Sequence, residues 1–363
     1  MDINVTKPYF PPLEDFQKFI KGIWHREWLT NNGPLVNELE LSLKDWLGLD
    51  HLLYVSNGTI ALQIAIKSLE LTNDIITTPF SYVATTSSIL WENCNPIMVD
   101  ICKETLNIDA DKIEERITPN TTGILATHVY GNPCNIEKID AIAQRHNLKV
   151  IYDAAHAFGT KYKNKSLYAY GDISTASFHA TKLFHTIEGG ALITKDPSLL
   201  KKMASMRNFG HTTPTEFDEI GINGKNSEIH AAMGLCNLEY VTKILSNRKY
   251  LSNYYDFLLS DVEIKRPKIA HETIYNYSYY PVIFNSEEIL LKIVSELNIN
   301  KIFPRRYFYP SLSKLSYIKS DLKNICPISE DISKRVLCLP LYYTLSTSEI
   351  DMICRIIKRT LNY

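Results

Sequence analysis

Apolar and polar positions along this chain form runs that predict helices and strands in turn. Residues 34–48 (PLVNELELSLKDWLG) carry apolar side chains at helical spacing and end at Gly48, which predicts a surface helix. Shorter apolar runs and longer periodic runs then follow one another; the predicted strands are 51–56, 74–79, 96–101, 121–131 and 148–153, and the predicted helices are 57–71, 81–93 and 136–147. Strands separated by helices of this length predict an α/β fold with a mainly parallel sheet and helices on both faces. Such sheets bind ligands at the carboxyl ends of their strands.

The C-terminal part of the chain has a different pattern and predicts a smaller α/β domain. Residues 233–259 read as helical, and residues 275–284 (YNYSYYPVIF) predict a strand with helices after it. Serine and threonine ahead of Glu349 predict the start of a last helix over 346–362. We therefore expect a large domain of residues 1–245 and a small domain of residues 246–363.

Composition and charge narrow the class of protein. The chain has 363 residues, of which 45% are apolar and 22% charged, so it can bury the cores of two domains of an enzyme-sized protein. Lysine and arginine number 39 against 40 acidic residues, which gives no electrostatic reason to expect nucleic acid or an anionic membrane as the main partner. The seven cysteines are scattered without a CxxC pair, and the histidines do not form a ligand set, so no metal site is expected.

The first residues, MDINVTKPYFPPLEDF, differ from a secretory signal. They include an acidic residue at position 2 and three prolines, whereas a signal has a basic start and a continuous apolar core. Apolar runs of roughly 20 residues, the length that spans a bilayer, do not occur in the sequence. A cytoplasmic protein without a membrane partner is expected.

Lys182 and Asp153 are the strongest candidates for chemistry. Lys182 lies in the run SFHATKLFHTIEGGALIT, 29 residues after Asp153, which ends the predicted strand 148–153. This placement suggests pyridoxal 5'-phosphate, with Lys182 forming a Schiff base to the aldehyde and Asp153 holding a proton on the pyridine nitrogen. The lysine would need its pKa lowered from about 10.4 to about 7 or 8, and burial can do this. Taken singly, a solvated lysine and a turn-capping aspartate are the ordinary alternatives.

Two further segments at predicted strand ends are candidates for binding phosphate. Asn57, Gly58 and Thr59 open the helix 57–71, where free backbone amides and the helix dipole favour an anion. An ordinary N-cap is the alternative. Ser177 could add a hydroxyl contact, although a hydroxyl bonded to backbone is the alternative for a single serine. The glycine fingerprints of dinucleotide and ATP sites are missing from 51–71.

Seven motifs resemble the DegT/DnrJ/EryC1/StrS sugar-nucleotide aminotransferases and occur in that family's order. They are NGTIAL, TTPFSYVATTSSILW, HVYGNPCNIEKIDAIA, IYDAAHAFG, SFHATKLFHTIEGGALIT, GINGKNSEIHAAMGL and PRRYFYPSL. The resemblance implies the type I pyridoxal-phosphate-dependent aminotransferase fold and a homodimer with shared active sites. It also implies L-glutamate and a nucleotide sugar as substrates. The segment WLTNNGPLVNELE is similar to that of members acting on dTDP-4-keto-6-deoxyglucose, which would lead to O-antigen or another surface glycan.

The same resemblance implies a role for each matching position. Lys182 would bind the cofactor covalently and Asp153 would pair with the ring nitrogen. The remaining cofactor positions are Gly58, Thr59 and Ser177 at the phosphate, Tyr82 on the ring face, His156 near the ring hydroxyl, and Asn223, from the second subunit, at the phosphate. Arg305, Arg306 and Tyr307 would lie near the substrate diphosphate. Core packing for Tyr82, a turn for Asn223, and structural roles for His179 and His185 are the alternatives.

Other functions remain open at this point. A related dehydratase scaffold has histidine in place of the lysine, so Lys182 argues against dehydration. An oxidoreductase would need the missing glycine fingerprint. Amination of a 3-keto-6-deoxy sugar nucleotide, or a catalytically silent cofactor-binding regulator, are alternatives that the residues leave standing.

Overall fold

A computed structural model describes residues 2–318 and 326–362 of the chain. The helices in these ranges are α1 (Leu13–Arg26), α2 (Pro34–Leu47), α3 (Gly58–Ser68), α4 (Val83–Trp91), α5 (Ile136–His146), α6 (Pro197–Arg207), α7 (Glu228–Leu238), α8 (Val241–Leu258), α9 (Glu287–Ile299), α10 (Pro327–Arg335) and α11 (Thr347–Leu361). The strands are β1 (Ile3–Asn4), β2 (His51–Val55), β3 (Asp74–Thr77), β4 (Asn95–Met98), β5 (Thr121–Thr127), β6 (Lys149–Asp153), β7 (Lys161–Tyr162), β8 (Lys165–Ser166), β9 (Ile173–Ser177), β10 (Gly190–Thr194), β11 (His211–Thr213), β12 (Glu216–Phe217), β13 (Thr273–Ile274), β14 (Tyr280–Ile283), β15 (Ile302–Phe303) and β16 (Val336–Leu339).

Seven strands form the central sheet, in the order β2-β10-β9-β6-β5-β3-β4. Neighbours from β9 through β4 pair in parallel, whereas β10 is antiparallel to both β9 and β2. The predicted strands and the helices between them are confirmed, and the sheet is mainly parallel as expected. The strand β10 runs the other way because the segment 178–189 turns back beside β9 without a crossover helix. That segment carries Lys182.

Alternating side chains of the sheet strands build two separate cores. On β2, Tyr54 packs into one core and Leu53 and Val55 into the other, and on β6 Tyr152 and Ile151 divide in the same way. Both faces of the sheet are therefore apolar, and helices cover them. The polar residues that the strands carry at their carboxyl ends are left at the edge, where a site can form.

A third core belongs to the C-terminal part of the chain. It begins along α8 at Leu251 and includes side chains of β14, α9, β16 and α11, whereas the first core extends up to Ile244. The short strand β1 pairs in parallel with β15 and brings Ile3 into this third core. The division of the chain near residue 245 stays a prediction, and it places the start of α8 at the junction.

Two features of the helices differ from expectation. The single helical pattern over 233–259 is wrong in detail, because α7 ends at Leu238 and α8 begins at Val241. At this break Tyr240 donates a hydrogen bond to Asp15 Oδ2 at 2.8 Å and packs 5.5 Å from the ring of Tyr9. These are tertiary contacts that a local pattern does not contain. The helix α1 was not predicted, because the prolines around it masked its periodicity.

The last predicted helix is confirmed as α11, with its capping residues. Ser346 accepts from the Glu349 N–H, and the Glu349 carboxylate accepts from the Ser346 N–H, so the two residues form a capping box. Among the helices of residues 2–318 and 326–362, none combines the length and apolarity required to cross a membrane.

Candidate active site

A cavity of about 600 Å³ opens at the carboxyl edge of the central sheet. Its wall combines the start of α3, the ends of β5, β6 and β9, the loop that follows β9, and the segment 305–308 of the C-terminal part. Eleven of the residues named in the sequence analysis lie on it: Asn57, Gly58, Thr59, Tyr82, Asp153, His156, Ser177, His179, Lys182, Arg305 and Tyr307. Residues that are distant in the chain thus meet in one place.

The start of α3 presents unpaired backbone donors to the cavity. The Asn57 side chain caps the helix by accepting from the Ile60 N–H at 2.8 Å, which leaves the N–H groups of Gly58 and Thr59 without a partner among the described residues. A Cβ added to Gly58 would lie 3.0 Å from Ser177 Cβ, so the absence of a side chain at Gly58 lets the helix approach β9 closely. Amides, helix dipole and the Ser177 hydroxyl together form a site suited to an anion.

Lys182 lies in the loop 178–189, which is closed on itself by backbone hydrogen bonds. The Phe178 N–H donates to Gly189 O at 2.7 Å, and the Lys182 N–H donates to His179 O at 2.8 Å. Within the part of the chain that the structure describes, the Lys182 amine has no hydrogen-bond or ion-pair partner. Burial lowers the pKa of Lys182 to about 8, and the negative charge of Asp153 opposes part of this effect. The expected lowering is confirmed.

Asp153 ends β6 and is buried beside the same cavity. Its Oδ2 accepts a hydrogen bond from Thr85 Oγ1 at 2.7 Å, and its Oδ1 accepts from the Ala155 N–H at 3.2 Å. Burial raises the pKa of Asp153, and these two hydrogen bonds and the charge of Lys182 act in the opposite direction. Asp153 also lines the cavity, so a cationic group bound there could reach its carboxyl group.

His156 is a buried, neutral imidazole on the cavity wall. Its Nδ1 accepts from the Tyr130 N–H at 3.3 Å, and its ring lies parallel to that of Phe308 with 5.8 Å between centroids. Burial lowers the pKa of His156 well below its usual value, and the positive charge of Lys182 adds to the effect. The ring therefore presents an Nε2–H donor.

Tyr82 stands at the start of α4 with 58% of its surface exposed. Packing of Tyr82 in the core is thus wrong as an alternative, and its ring is free to face a ligand in the cavity. His185 is buried and its Nε2 lies 2.8 Å from Tyr9 O, as expected for a structural histidine. His179 differs: it lines the cavity, with Nε2 at 3.4 Å from the Glu188 carboxylate.

The two neighbouring arginines have different surroundings in the structure. Arg305 is exposed at the cavity, with its guanidinium 5.8 Å from the Tyr307 ring. Arg306 lies outside the cavity wall, because its guanidinium donates to Glu287 at 2.7 Å and stacks 3.5 Å from the centre of the Tyr309 ring. The expectation that both arginines face the ligand is therefore corrected to Arg305 alone.

Asn223 also lies outside the cavity wall of this chain. It is exposed in the loop 208–226, where its backbone pairs with that of Asn208 in an isolated antiparallel β-bridge. This position agrees with a residue that would serve a second subunit, a role that stays a prediction.

Sequence reasoning missed several residues of the site. They are Ser81, Thr85 and Thr127, which reach Asp153 through hydroxyl groups, and Tyr279 and Phe308, which form an aromatic wall. The only signal was the density of serine and threonine in 77–88, beside a predicted strand end. In the described ranges, no group of three or more histidine, cysteine, aspartate or glutamate side chains could hold a metal ion.

Comparisons with known proteins agree with this architecture. The sequence model of the DegT/DnrJ/EryC1/StrS aminotransferase family matches residues 13–358. The dTDP-4-amino-4,6-dideoxy-D-glucose transaminase of Shigella dysenteriae is 40% identical over 362 residues, and that of Escherichia coli is 38% identical over 365 residues; each alignment covers 98% of both chains. The solved structure of DesI in the presence of its TDP-sugar product has a TM-score of 0.94 and 27% identity, over 99% of this chain and 92% of DesI. The expected aminotransferase fold is confirmed.

Proposed function

Because the chain belongs to the DegT/DnrJ/EryC1/StrS aminotransferase family, we propose that it transfers an amino group from L-glutamate to dTDP-4-keto-6-deoxy-D-glucose, giving dTDP-4-amino-4,6-dideoxy-D-glucose. Aminotransferases of this family depend on pyridoxal phosphate, and the chain is a sugar-nucleotide aminotransferase. The choice of sugar is supported by the names of the two bacterial relatives aligned over almost the whole chain. The choice of L-glutamate rests on the family resemblance. The product would enter O-antigen or another surface glycan.

One observation carries the proposal: an amine, a carboxylate and unpaired backbone amides share a single cavity. Lys182 would meet the aldehyde of the cofactor, Asp153 the ring nitrogen, and the Gly58 and Thr59 amides with Ser177 the phosphate. The residues present thus fit the aldehyde, the ring nitrogen and the phosphate of pyridoxal phosphate. When bound, this cofactor supplies a conjugated ring that accepts the electron pair left as a substrate carbon loses its proton.

Lys182 would hold and move that proton. With a pKa of about 8, about one-tenth of the amine is neutral at pH 7, against less than roughly a thousandth for an ordinary lysine. In the first half of the reaction the amine would therefore take a proton from the carbon of the amino donor and pass it to the cofactor carbon. In the second half it would move a proton the opposite way, from the cofactor carbon to the carbon of the sugar. Positioned proton transfer of this kind contributes roughly 10² to 10⁴ in rate.

The remaining wall residues would bind and orient. Asp153 would keep the ring nitrogen protonated through a charge-assisted hydrogen bond. The exposed ring of Tyr82 would cover one face of the cofactor, and the His156 Nε2–H would donate to the ring hydroxyl oxygen. Arg305 and Tyr307, at the C-terminal side of the cavity, would contact the diphosphate of the nucleotide sugar, since a guanidinium suits phosphate oxygens.

A homodimer with shared active sites is the assembly that we propose. The loop 208–226 exposes large apolar side chains, among them Phe217 at 61% and Ile220 at 77%, and Asn223 is exposed beside them. Exposed apolar patches of this type are typical of protein interfaces. A second subunit covering this face would place Asn223 at its own cofactor phosphate.

Hybrid dimers test this arrangement. Lys182→Ala and Asn223→Ala proteins are each expected to be inactive or weakly active alone. A mixed dimer would contain one site with neither substitution, so mixing the two proteins under subunit exchange should restore activity. Failure to restore activity in a proven hybrid dimer would contradict shared sites.

Free thiols support a reducing compartment. All seven cysteines are unpaired, and six of them are buried. Proteins of oxidising compartments commonly pair such residues. We therefore propose the cytoplasm as the location of the protein.

The substrate is tested by product analysis. The protein is incubated with L-glutamate and either dTDP-4-keto-6-deoxyglucose or its 3-keto isomer, and NMR identifies the carbon that bears nitrogen, with Lys182→Ala as the control. Nitrogen at C4 is expected, and nitrogen at C3 would overturn the sugar while leaving the aminotransferase in place. A silent cofactor-binding regulator would show no glutamate-dependent bleaching of the bound chromophore.

A further inference from the structure

Three buried hydroxyl groups lead in a line to the Asp153 carboxylate. Thr85 Oγ1 donates to Asp153 Oδ2 at 2.7 Å, Ser81 Oγ lies 2.6 Å from Thr85 Oγ1, and Thr127 Oγ1 lies 3.1 Å from Ser81 Oγ. Thr127 ends β5, Ser81 lies in the loop between β3 and α4, and Thr85 is in the first turn of α4. All three side chains are buried.

The number of available protons determines which of these hydroxyl groups donates each hydrogen bond and which one accepts it. A hydroxyl has one proton, and an ionised carboxylate can only accept. The Thr85 proton is used on Asp153, so the Thr85 oxygen must accept from Ser81. The Ser81 proton is then used in turn, so the Ser81 oxygen must accept from Thr127. Each hydroxyl dipole therefore points its positive end toward the carboxylate, and successive bonds polarise one another.

We propose that Thr85, supported by Ser81 and Thr127, is a positioning residue that keeps the Asp153 carboxylate ionised and aligned for the ring nitrogen of the cofactor. This proposal rests on the proposed function. Burial by itself favours the neutral acid, so a carboxylate meant to hold a proton on another group needs donors of its own. The hydroxyl groups of Thr85, Ser81 and Thr127 supply these donors from the side of Asp153 that β5 and α4 cover.

The ordinary alternative is that these hydrogen bonds are structural, because most buried hydroxyl groups pair with a neighbouring polar group whatever its function. Two neighbours argue against it. Thr77 and Thr86 also have buried hydroxyl oxygens, and neither oxygen has a hydrogen-bond partner among the residues that the structure describes. Burial in this region therefore does not by itself pair a hydroxyl with Asp153 or its neighbours, and Thr86, next to Thr85 on the same helix, provides a matched control.

The test compares Thr85→Val with Thr86→Val, each of which removes one buried hydroxyl and keeps the side-chain shape. The readouts are the NMR signal of the ring nitrogen in bound cofactor labelled with nitrogen-15, and the dissociation constant of pyridoxal phosphate. In Thr85→Val the signal should move toward the unprotonated position, and affinity should fall about 10-fold, since hydrogen bonds to charged groups are the strong ones. Thr86→Val should match the unsubstituted protein, and Thr85→Ser should restore both readouts.

The outcomes separate this proposal from the proposed function. If the unsubstituted protein binds the cofactor and Thr85→Val gives the same nitrogen signal as Thr86→Val, the hydroxyl chain is refuted while the aminotransferase stands. If the unsubstituted protein binds no cofactor, the function itself fails. Should Thr85→Val not fold, Ser81→Ala breaks the chain one link further away. A smaller shift in the same direction is then expected, and an unshifted signal would overturn the proposal.

Discussion

The Tyr130 backbone N–H donates to Nδ1 of His156 at 3.3 Å and so fixes the proton of this neutral imidazole on Nε2. His156→Gln keeps an N–H donor, whereas His156→Leu has none. His156→Leu loses one hydrogen bond to the ring oxygen. The midpoint pH of the absorbance titration of the bound cofactor should therefore rise by about one pH unit in this variant. Absorbance titration measures this shift. A leucine variant that titrates like the glutamine variant would rule out the donor role.

Gly58 is expected to be required for binding the cofactor phosphate. In Gly58→Ala the new Cβ would meet Ser177 Cβ at 3.0 Å, and neither atom can rotate away. The start of α3 or Ser177 would therefore have to shift, which displaces the groups that would bind the phosphate, and the affinity for pyridoxal phosphate should fall roughly 10-fold.

Gly22→Ala is the matched control for that substitution. Its Cβ would meet only the mobile end of the Arg26 side chain, on α1 and away from the cavity. Its cofactor affinity should be unchanged and its helix slightly more stable. Fluorescence titration with pyridoxal phosphate compares both variants, and equal affinities would contradict a tight phosphate site at Gly58.

The two adjacent arginines should give opposite phenotypes. Arg305→Ala removes a cation from the cavity and should raise KM for the nucleotide sugar about 10-fold or more, with KM for glutamate and the melting temperature little changed. Arg306→Ala removes the contacts with Glu287 and Tyr309 and should lower the free energy of unfolding by roughly 1–3 kcal/mol, with KM almost unchanged. Steady-state kinetics and urea unfolding measure both. A similar rise of KM in the two variants would contradict the separation.

A buried histidine outside the cavity should make stability depend on pH. Burial lowers the pKa of His128 from 6.5 to about 3. The unfolded chain therefore binds a proton that the folded chain excludes, so stability is lost as pH falls below about 6.5. Between pH 7 and pH 5 this residue should reduce the free energy of unfolding by about 2 kcal/mol.

The variant His128→Asn tests this effect, because an asparagine oxygen can accept the Cys134 N–H as His128 Nδ1 does and cannot titrate. Urea unfolding at the two pH values should show a loss smaller by about 2 kcal/mol in the variant. An equal loss in both proteins would show that His128 is not the group responsible.

The sequence alone predicted those elements whose structure depends on a few neighbouring residues. The apolar run that ends at Asp153 predicts a buried strand with an acid at its carboxyl end, and both are present. The helix start at Asn57 and the capping box of Ser346 with Glu349 were likewise visible, because their chemistry is confined to a few neighbouring residues.

Features that depend on the path of the chain were not predictable in this way. The reversed direction of β10 comes from a loop that returns without a helix, and a local apolar run has no direction. Thr85 resembles any threonine in a helix until Asp153 is placed opposite it by the sheet. Arg305 and Arg306 cannot be told apart in the sequence because they are the same residue type, but adjacent side chains of an extended segment face opposite sides.

The covalent link between Lys182 and the cofactor is tested most directly by borohydride reduction. The protein is reconstituted with pyridoxal phosphate, reduced and digested, and mass spectrometry locates the added pyridoxyl group, with Lys182→Ala treated in parallel. Modification of Lys182 is expected in the unsubstituted protein, and none is expected at the corresponding peptide of the variant. Stable modification of a different lysine, or no modification at all, would contradict it.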